Sequence, residues 1–139
     1  MKREKVSKEE VELWITKARE SLNDAIYLLI YMVRKNVLKI INLYKKDLEK
    51  KVKIDKIIVF GSCAKGIIRQ NSDIDLLIIS TQFSSFDADD RAKILCLARE
   101  NPKTWDMAMD IFGVTPEEYK SASSLSILGE IKKTGIMLS

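Results

Sequence analysis

No histidine occurs among the 139 residues, and that one absence removes the commonest general base, the Ser-His-Asp triad and most zinc sites. Any catalysis must then run on carboxylates and hard metal ions. Proline and glycine are scarce, and none precedes Gly61, which leaves the first part of the chain free to be helical throughout. Cysteine occurs only as Cys63 and Cys96, without metal-ligand spacing, so both are expected to be reduced, small buried hydrophobes. There is no long apolar run. The longest, Ala25 to Val33, is about half a membrane span, and with no signal-peptide pattern the expectation is a cytoplasmic protein without membrane contact.

What is present is an ordinary supply of core-forming residues. With 46% hydrophobic and 32% charged residues, the chain fits one compact domain and excludes disordered and collagen-like readings. Charge is unevenly spread: residues 1–56 hold fifteen Lys/Arg against nine Asp/Glu, and residues 57–139 hold nine against eleven. The basic excess therefore sits in the N-terminal part, where it serves equally as a solvated helix surface or a contact for phosphate or an acidic partner. No basic–aromatic interleaving accompanies it, so a nucleic-acid partner is not expected.

Ser7-Lys8-Glu9-Glu10 reads as a capping box. The helix it opens carries Val11, Trp14, Ile15, Ala18, Leu22, Ala25, Ile26, Leu29, Ile30 and Val33 at three-to-four spacing. Asn36 reads as a cap or kink, followed by a second stripe of Val37, Ile40, Ile41, Tyr44 and Leu48. Residues 1–53 are thus expected to form two helices packing on the core, and residues 54–139 a separate domain. In that domain Lys56–Phe60 and Ile74–Ile79 are short β-branched runs, read as strands buried on two faces. A helix from Asp87 to about Arg99, a strand over Thr104–Phe112, a helix from the Thr115-Pro116-Glu117-Glu118 box to about Lys133, and an edge strand at Ile136–Leu138 complete the pattern. The fold class expected is α+β, a small mixed sheet backed by helices with its acids on an open face.

The chemistry-bearing segment is Phe60-Gly61-Ser62, then ten residues from Cys63 to Ser72, then Asp73-Ile74-Asp75-Leu76-Leu77. Side chains two apart on a strand share a face, so Asp73 and Asp75 can aim at one point. Two adjacent carboxylates repel each other, and hard divalent cations between them relieve that repulsion.

Gly-Ser, ten residues, Asp-x-Asp, with a hydrophobic strand on each side, resembles the signature of the minimal nucleotidyltransferases of the DNA polymerase β-like superfamily. The resemblance runs from about Lys56 to Leu138. It implies a polymerase β-like fold and the transfer of a nucleoside monophosphate, AMP in the first instance, from an NTP to a hydroxyl. It also implies two Mg²⁺ ions held by Asp73, Asp75 and a third acid. Asp110 is the third acid by its likeness to the family's hydrophobic-Asp-hydrophobic stretch before Thr-Pro-Glu-Glu-aromatic, here Asp110 to Tyr119, with Asp106 in reserve. Gly61 would admit the triphosphate to the backbone. Ser62 would donate to it, and Lys65, Arg69 and Ser72 would complete the nucleotide site. Family members commonly carry arginine where Cys63 and Lys65 stand, a departure that bears on base preference more than on the metal site.

Glu12 to Ala25 is similar to the first helix of HEPN proteins, usual partners of minimal nucleotidyltransferases. The expected acceptor is therefore a protein hydroxyl on a HEPN-type toxin, the chain acting as antitoxin and its size leaving no room for an acceptor-binding domain. A homo-oligomer through the same helix is a further expectation. The alternatives are a small-molecule, antibiotic-type nucleotidyltransferase and a non-catalytic nucleotide-binding or assembly subunit.

Overall fold

The computed structural model describes residues 7–64 and 73–138, with side chains described outside 26–32. Helix α1 spans Lys8–Glu49. It opens on the expected capping box: the Ser7 amide donates to Glu10 Oε2 at 2.9 Å, and the Glu10 amide donates to Ser7 Oγ at 3.2 Å. The two helices expected on either side of Asn36 are in fact one. An interior asparagine costs only ~0.7 kcal/mol relative to alanine, and with no glycine or proline nearby nothing halts propagation.

Contacts divide the chain into two compact units, Met1–Asn36 and Val37–Ser139. In the first unit the described part of the stripe from Val11 to Leu22 is exposed. Val11, Trp14, Ile15 and Leu22 are between 41% and 62% accessible. In the second unit the stripe is buried at Val37, Ile40, Ile41, Tyr44 and Leu48. The Tyr44 hydroxyl donates to the Leu95 carbonyl at 2.8 Å, and burial holds its phenol well above the ordinary value.

After α1 come β1 (Lys56–Phe60), α2 (Gly61–Ala64), β2 (Ile74–Ile79), a 3-10 turn (Thr81–Ser85) and α3 (Ala88–Leu97). A second 3-10 turn (Pro102–Trp105), β3 (Met109–Val114), α4 (Pro116–Ser121), α5 (Ile127–Thr134) and β4 (Ile136–Leu138) follow. The sheet order is β3-β2-β1-β4, with β1 antiparallel to β2 and β4, and β2 parallel to β3. This is the mixed sheet expected, edge strand β4 included.

The register fixes the faces. Ile57, Val59, Ile74, Leu76 and Ile78 share one face and are buried, on the side where α3 packs. On the other face Ile58, Leu77 and Ile79 form a core cluster with Ile131 of α5, and Phe60, Val114, Tyr119 and Leu128 pack around it. That second face also carries Asp75 and Asp110. The acids were expected on an open face; instead α4 and α5 cover most of it, and the acids occupy the end nearest the N-termini of β2 and β3.

Three further expectations are corrected. The third strand begins at Met109, not Thr104, because Pro102 opens a 3-10 turn capped by Asn101, whose Oδ1 accepts from the Lys103 amide at 3.0 Å. Arg99 holds that turn by donating to the carbonyls of Thr104 and Met107, with its guanidinium 3.9 Å from the Trp105 ring centroid. The last helix is two, since the serines of residues 121–126 favour capping turns; Ser126 Oγ accepts from the Gly129 amide at 3.1 Å and restarts the chain as α5. Cys96, finally, is exposed, and Cys63 is half-buried.

Candidate active site

Strand β2 is buried at five of its six positions, which anchors Asp75 rigidly. Asp75 lies opposite Asp110 in the parallel β2–β3 ladder and opposite Phe60 in the antiparallel β1–β2 ladder. Neighbouring strands are about 4.8 Å apart, so two carboxyls at one register position on one face must meet. They do: the Asp75 and Asp110 side chains lie within hydrogen-bonding reach of each other. Burial is the largest influence on the Asp75 carboxyl. The charges of Asp110 and Asp73 and the Asp110 hydrogen bond add to it, all pushing it above its ordinary value. Phe60 and Phe112, with ring centroids 6.2 Å apart, stand beside the acid on the neighbouring strands.

The turn after β1 completes the geometry. Gly61 adopts φ +69°, a left-handed conformation that favours glycine, and a Cβ at that position would collide with Asp75 Oδ2. The glycine anticipated as a place for phosphate to approach the backbone therefore also makes room for the acid. Ser62 follows in the first turn of α2, which packs against both β1 and β2. Cys63 Sγ donates to the Asp73 carbonyl at 3.3 Å, tying α2 to the residue before β2.

The structure thus brings together Gly61, Asp75 and Asp110, with Ser62 next to Gly61 in the chain and Asp73 close enough to raise Asp75 electrostatically. Asp73 and Asp110 are exposed, and Asp75 is half-buried. Asp106 is the exposed C-cap residue of the 3-10 turn ahead of β3. Lys65, Arg69 and Ser72 lie outside the described residues. Sequence reasoning missed Phe60 and Phe112, although strand alternation carried the signal: each falls on the same face as Asp75. A cavity of about 350 Å³ runs along β3, lined by apolar side chains such as Leu77, Phe112 and Leu128 and by none of the three acids.

Among the described residues no three acids or cysteines converge into a ready cation cage. The donor set nonetheless suits a hard cation, because Asp75 and Asp110 supply only oxygen and stand at one register position on one sheet face. Mg²⁺ characteristically binds through one or two carboxylates plus substrate phosphates rather than in an all-protein cage.

Residues 41–134 match the model of the nucleotidyltransferase domain family. The chain belongs to that family. As a nucleotidyltransferase it is similar to a candidate protein adenylyltransferase of Methanocaldococcus jannaschii, 28% identical over 102 residues that cover 72% of this chain and 96% of the relative. Its fold is shared with a candidate nucleotidyltransferase of Sulfolobus solfataricus solved at 1.40 Å. That match has a TM-score of 0.58 and 16% identity, and covers 78% of this chain and 84% of the other. A toxin–antitoxin structure with AMP-PNP also matches, with TM-score 0.50, 24% identity and coverage of 70% and 71%. Among the described residues no helix of this nucleotidyltransferase is long and apolar enough to cross a membrane.

Proposed function

We propose that this nucleotidyltransferase moves AMP from ATP to a hydroxyl on a protein partner, a toxin of the HEPN type that it restrains as antitoxin in the cytoplasm. The observation that carries the reading is the Asp75–Asp110 pair set against the Gly61 turn, in a chain whose relative across nearly its whole length bears the name of a protein adenylyltransferase. A fold shared with a toxin–antitoxin structure and the HEPN-like pattern of Glu12–Ala25 support the choice of partner.

In this reading the acceptor oxygen attacks the α-phosphorus of ATP, the bond to the bridging oxygen of the leaving pyrophosphate breaks, and the hydroxyl proton passes to Asp110. Asp110 suits that task because its side chain is exposed while it stands beside Asp75. Ser62 donates its hydroxyl to a non-bridging phosphate oxygen, and the backbone of the Gly61 turn approaches the triphosphate without a side chain in the way. Asp73, Asp75 and Asp110 would hold two Mg²⁺ ions, which when bound supply positive charge to the attacking and leaving oxygens. Lys65, Arg69 and Ser72 are assigned to the triphosphate tail from their place in the sequence.

Incubation with α-labelled ATP, Mg²⁺ and the product of the adjacent gene should label that product, and Asp75→Asn should abolish the label. An unlabelled partner with every NTP, from protein that folds normally, contradicts the proposal.

A further inference from the structure

Strand β3 lies at one side of the sheet, and among the described residues its outer side pairs with no other strand. The Ile74 amide donates to the Ala108 carbonyl at 2.8 Å and the Ser80 amide to the Val114 carbonyl at 3.0 Å, so the even-numbered residues along β3 turn their backbone groups towards β2. Alternate residues of a strand face opposite ways, which leaves Met109, Ile111 and Gly113 pointing their amides and carbonyls outward. Among the described residues one of these groups is taken: Arg91 Nη1 donates to the Gly113 carbonyl at 3.3 Å, and Glu118 holds the same guanidinium. That clasp marks the far end of the open edge, and Asp110 marks the near end.

The cavity of about 350 Å³ lies along this edge, and its walls come from both faces of the sheet. Ala88, Ala92 and Ile111 line the α3 side, and Phe112, Ile127 and Leu128 the α5 side. Phe112 is 55% and Ile127 79% accessible, an exposure of large apolar groups that marks a surface for covering. Arg91 is the one charged side chain in the lining, and Glu118 already neutralises it, so the cavity offers little to a nucleic acid or another polyanion. An extended polypeptide suits it on both counts: its backbone completes the outward ladder, and its side chains, pointing alternately to the two faces, meet apolar walls on each. A second copy of β3 suits it less. Paired antiparallel about Ile111, it would set each Asp110 opposite Phe112 of the other copy and bury both carboxylates.

We propose, resting on the transfer reading above, that the acceptor segment of the protein substrate binds as an added strand along the outer edge of β3, with its hydroxyl-bearing residue opposite Asp110. Asp75 stands between the Gly61 turn, which follows β1, and Asp110 on the edge strand. With the triphosphate at that turn, an in-line displacement needs the attacking oxygen to come from the other side, which is the β3 edge. Residues directly opposite on neighbouring strands share a face with Cβ atoms about 5 Å apart, so a hydroxyl paired with Asp110 lies beside the carboxylate that takes its proton. Its oxygen bonds to the α-phosphorus as the bond to pyrophosphate breaks. The residue two further along the segment lies opposite Phe112 and packs against Ile127 and Leu128. The one between them faces α3 and pairs its backbone with Ile111.

The probe is a library of decapeptides, randomised around one central serine, threonine or tyrosine, incubated with the full chain, α-labelled ATP and Mg²⁺. Labelled peptides should carry an apolar residue two positions from the hydroxyl on one side only, because β3 extends past Asp110 in one direction. They should exclude proline at the position between, whose backbone must pair with Ile111. Ile111→Pro removes an outward amide and no bond to β2, and Ile127→Glu charges the α5 wall at an exposed position that keeps the test open should the proline variant unfold. Each should raise KM for a selected peptide at least about 10-fold and leave the affinity for a fluorescent ATP analogue unchanged. Labelled peptides without a one-sided apolar preference, a normal KM in Ile127→Glu, or a labelled protein partner beside a wholly unlabelled library would each overturn the proposal. The last of these leaves the transfer reading standing, whereas label on neither peptides nor partner removes both. A dimer whose formation protects the Ile111 amide from hydrogen exchange would seat a second copy in the cavity and overturn the proposal as well.

Discussion

Asp75 and Leu77 lie on one strand, point to one face and are two residues apart, yet they belong to different economies of the fold. Leu77 pairs with Ile58 and Phe112 in the ladders and is fully buried in the cluster closed by Ile131. Asp75 pairs with Phe60 and Asp110 and is half-buried where α4 and α5 no longer cover the sheet. On the proposed function one sheet face serves stability at one end and chemistry at the other, and the apolar end is what fixes the position of the polar end. The strain is local: burial and like charge push the Asp75 carboxyl up, whereas Leu77 two positions on only gains from burial.

The sharpest way to separate the two ends is Asp75→Asn. It should lower the rate of nucleotidyl transfer by at least about 1,000-fold, roughly 4 kcal/mol of transition-state stabilisation. The same change should leave the thermal midpoint level or higher, since it removes a like-charge contact. Leu77→Ala should do the reverse. It should cost ~3 kcal/mol of stability in urea unfolding while the folded fraction keeps most of its activity. Gly61→Ala should break the partition, because a methyl group at φ +69° meets both an unfavourable backbone and the Asp75 carboxylate. It should lose ~1–2 kcal/mol of stability and most of the activity together.

The smallest effect belongs to the apolar end's outer clasp, where Arg91 Nη1 and Nη2 donate to Glu118 at 2.8 and 2.9 Å. The Arg91 hydrogen bond is the main reason the Glu118 carboxyl lies below its ordinary 4.5. A depressed folded value means that its contribution is complete above that pH and is lost as pH falls through the lowered value. Glu118 is largely exposed, so Glu118→Gln should remove less than ~1 kcal/mol at pH 7 and flatten the acid limb of the stability curve.

The sheet's acidic end was legible because it is written in local pattern. Gly61-Ser62, the ten-residue interval and Asp73-x-Asp75 announce a strand–turn–strand with acids on one face, and both strands stand where their β-branched runs lie. Asp110 was legible through the family resemblance, and its register with Asp75 places it beside that acid. What was not legible depends on distant partners. The onset of β3 is delayed by Arg99 binding the carbonyls of Thr104 and Met107, a contact no periodicity encodes. The break between α4 and α5 follows from serine side chains capping their own backbone against a helical pattern. Asn36 carries an ambiguous signal, and without a glycine or proline the cooperative helix overrides it. The Gly61–Asp75 contact needed the tertiary fold, since sequence offers only the glycine.

On the proposed function Asp75 and Asp110, meeting across the parallel pair, form one oxygen-donor site beside the Gly61 turn. Titration of Mn²⁺ with a non-hydrolysable ATP analogue, followed by electron paramagnetic resonance, tests it most directly. Asp75→Asn and Asp110→Asn should each weaken metal–nucleotide binding about 100-fold, and the double variant should be scarcely weaker than either single one, as expected of two ligands in one site. An Asp110→Asn protein that binds Mn²⁺ and nucleotide like the wild type would contradict the account.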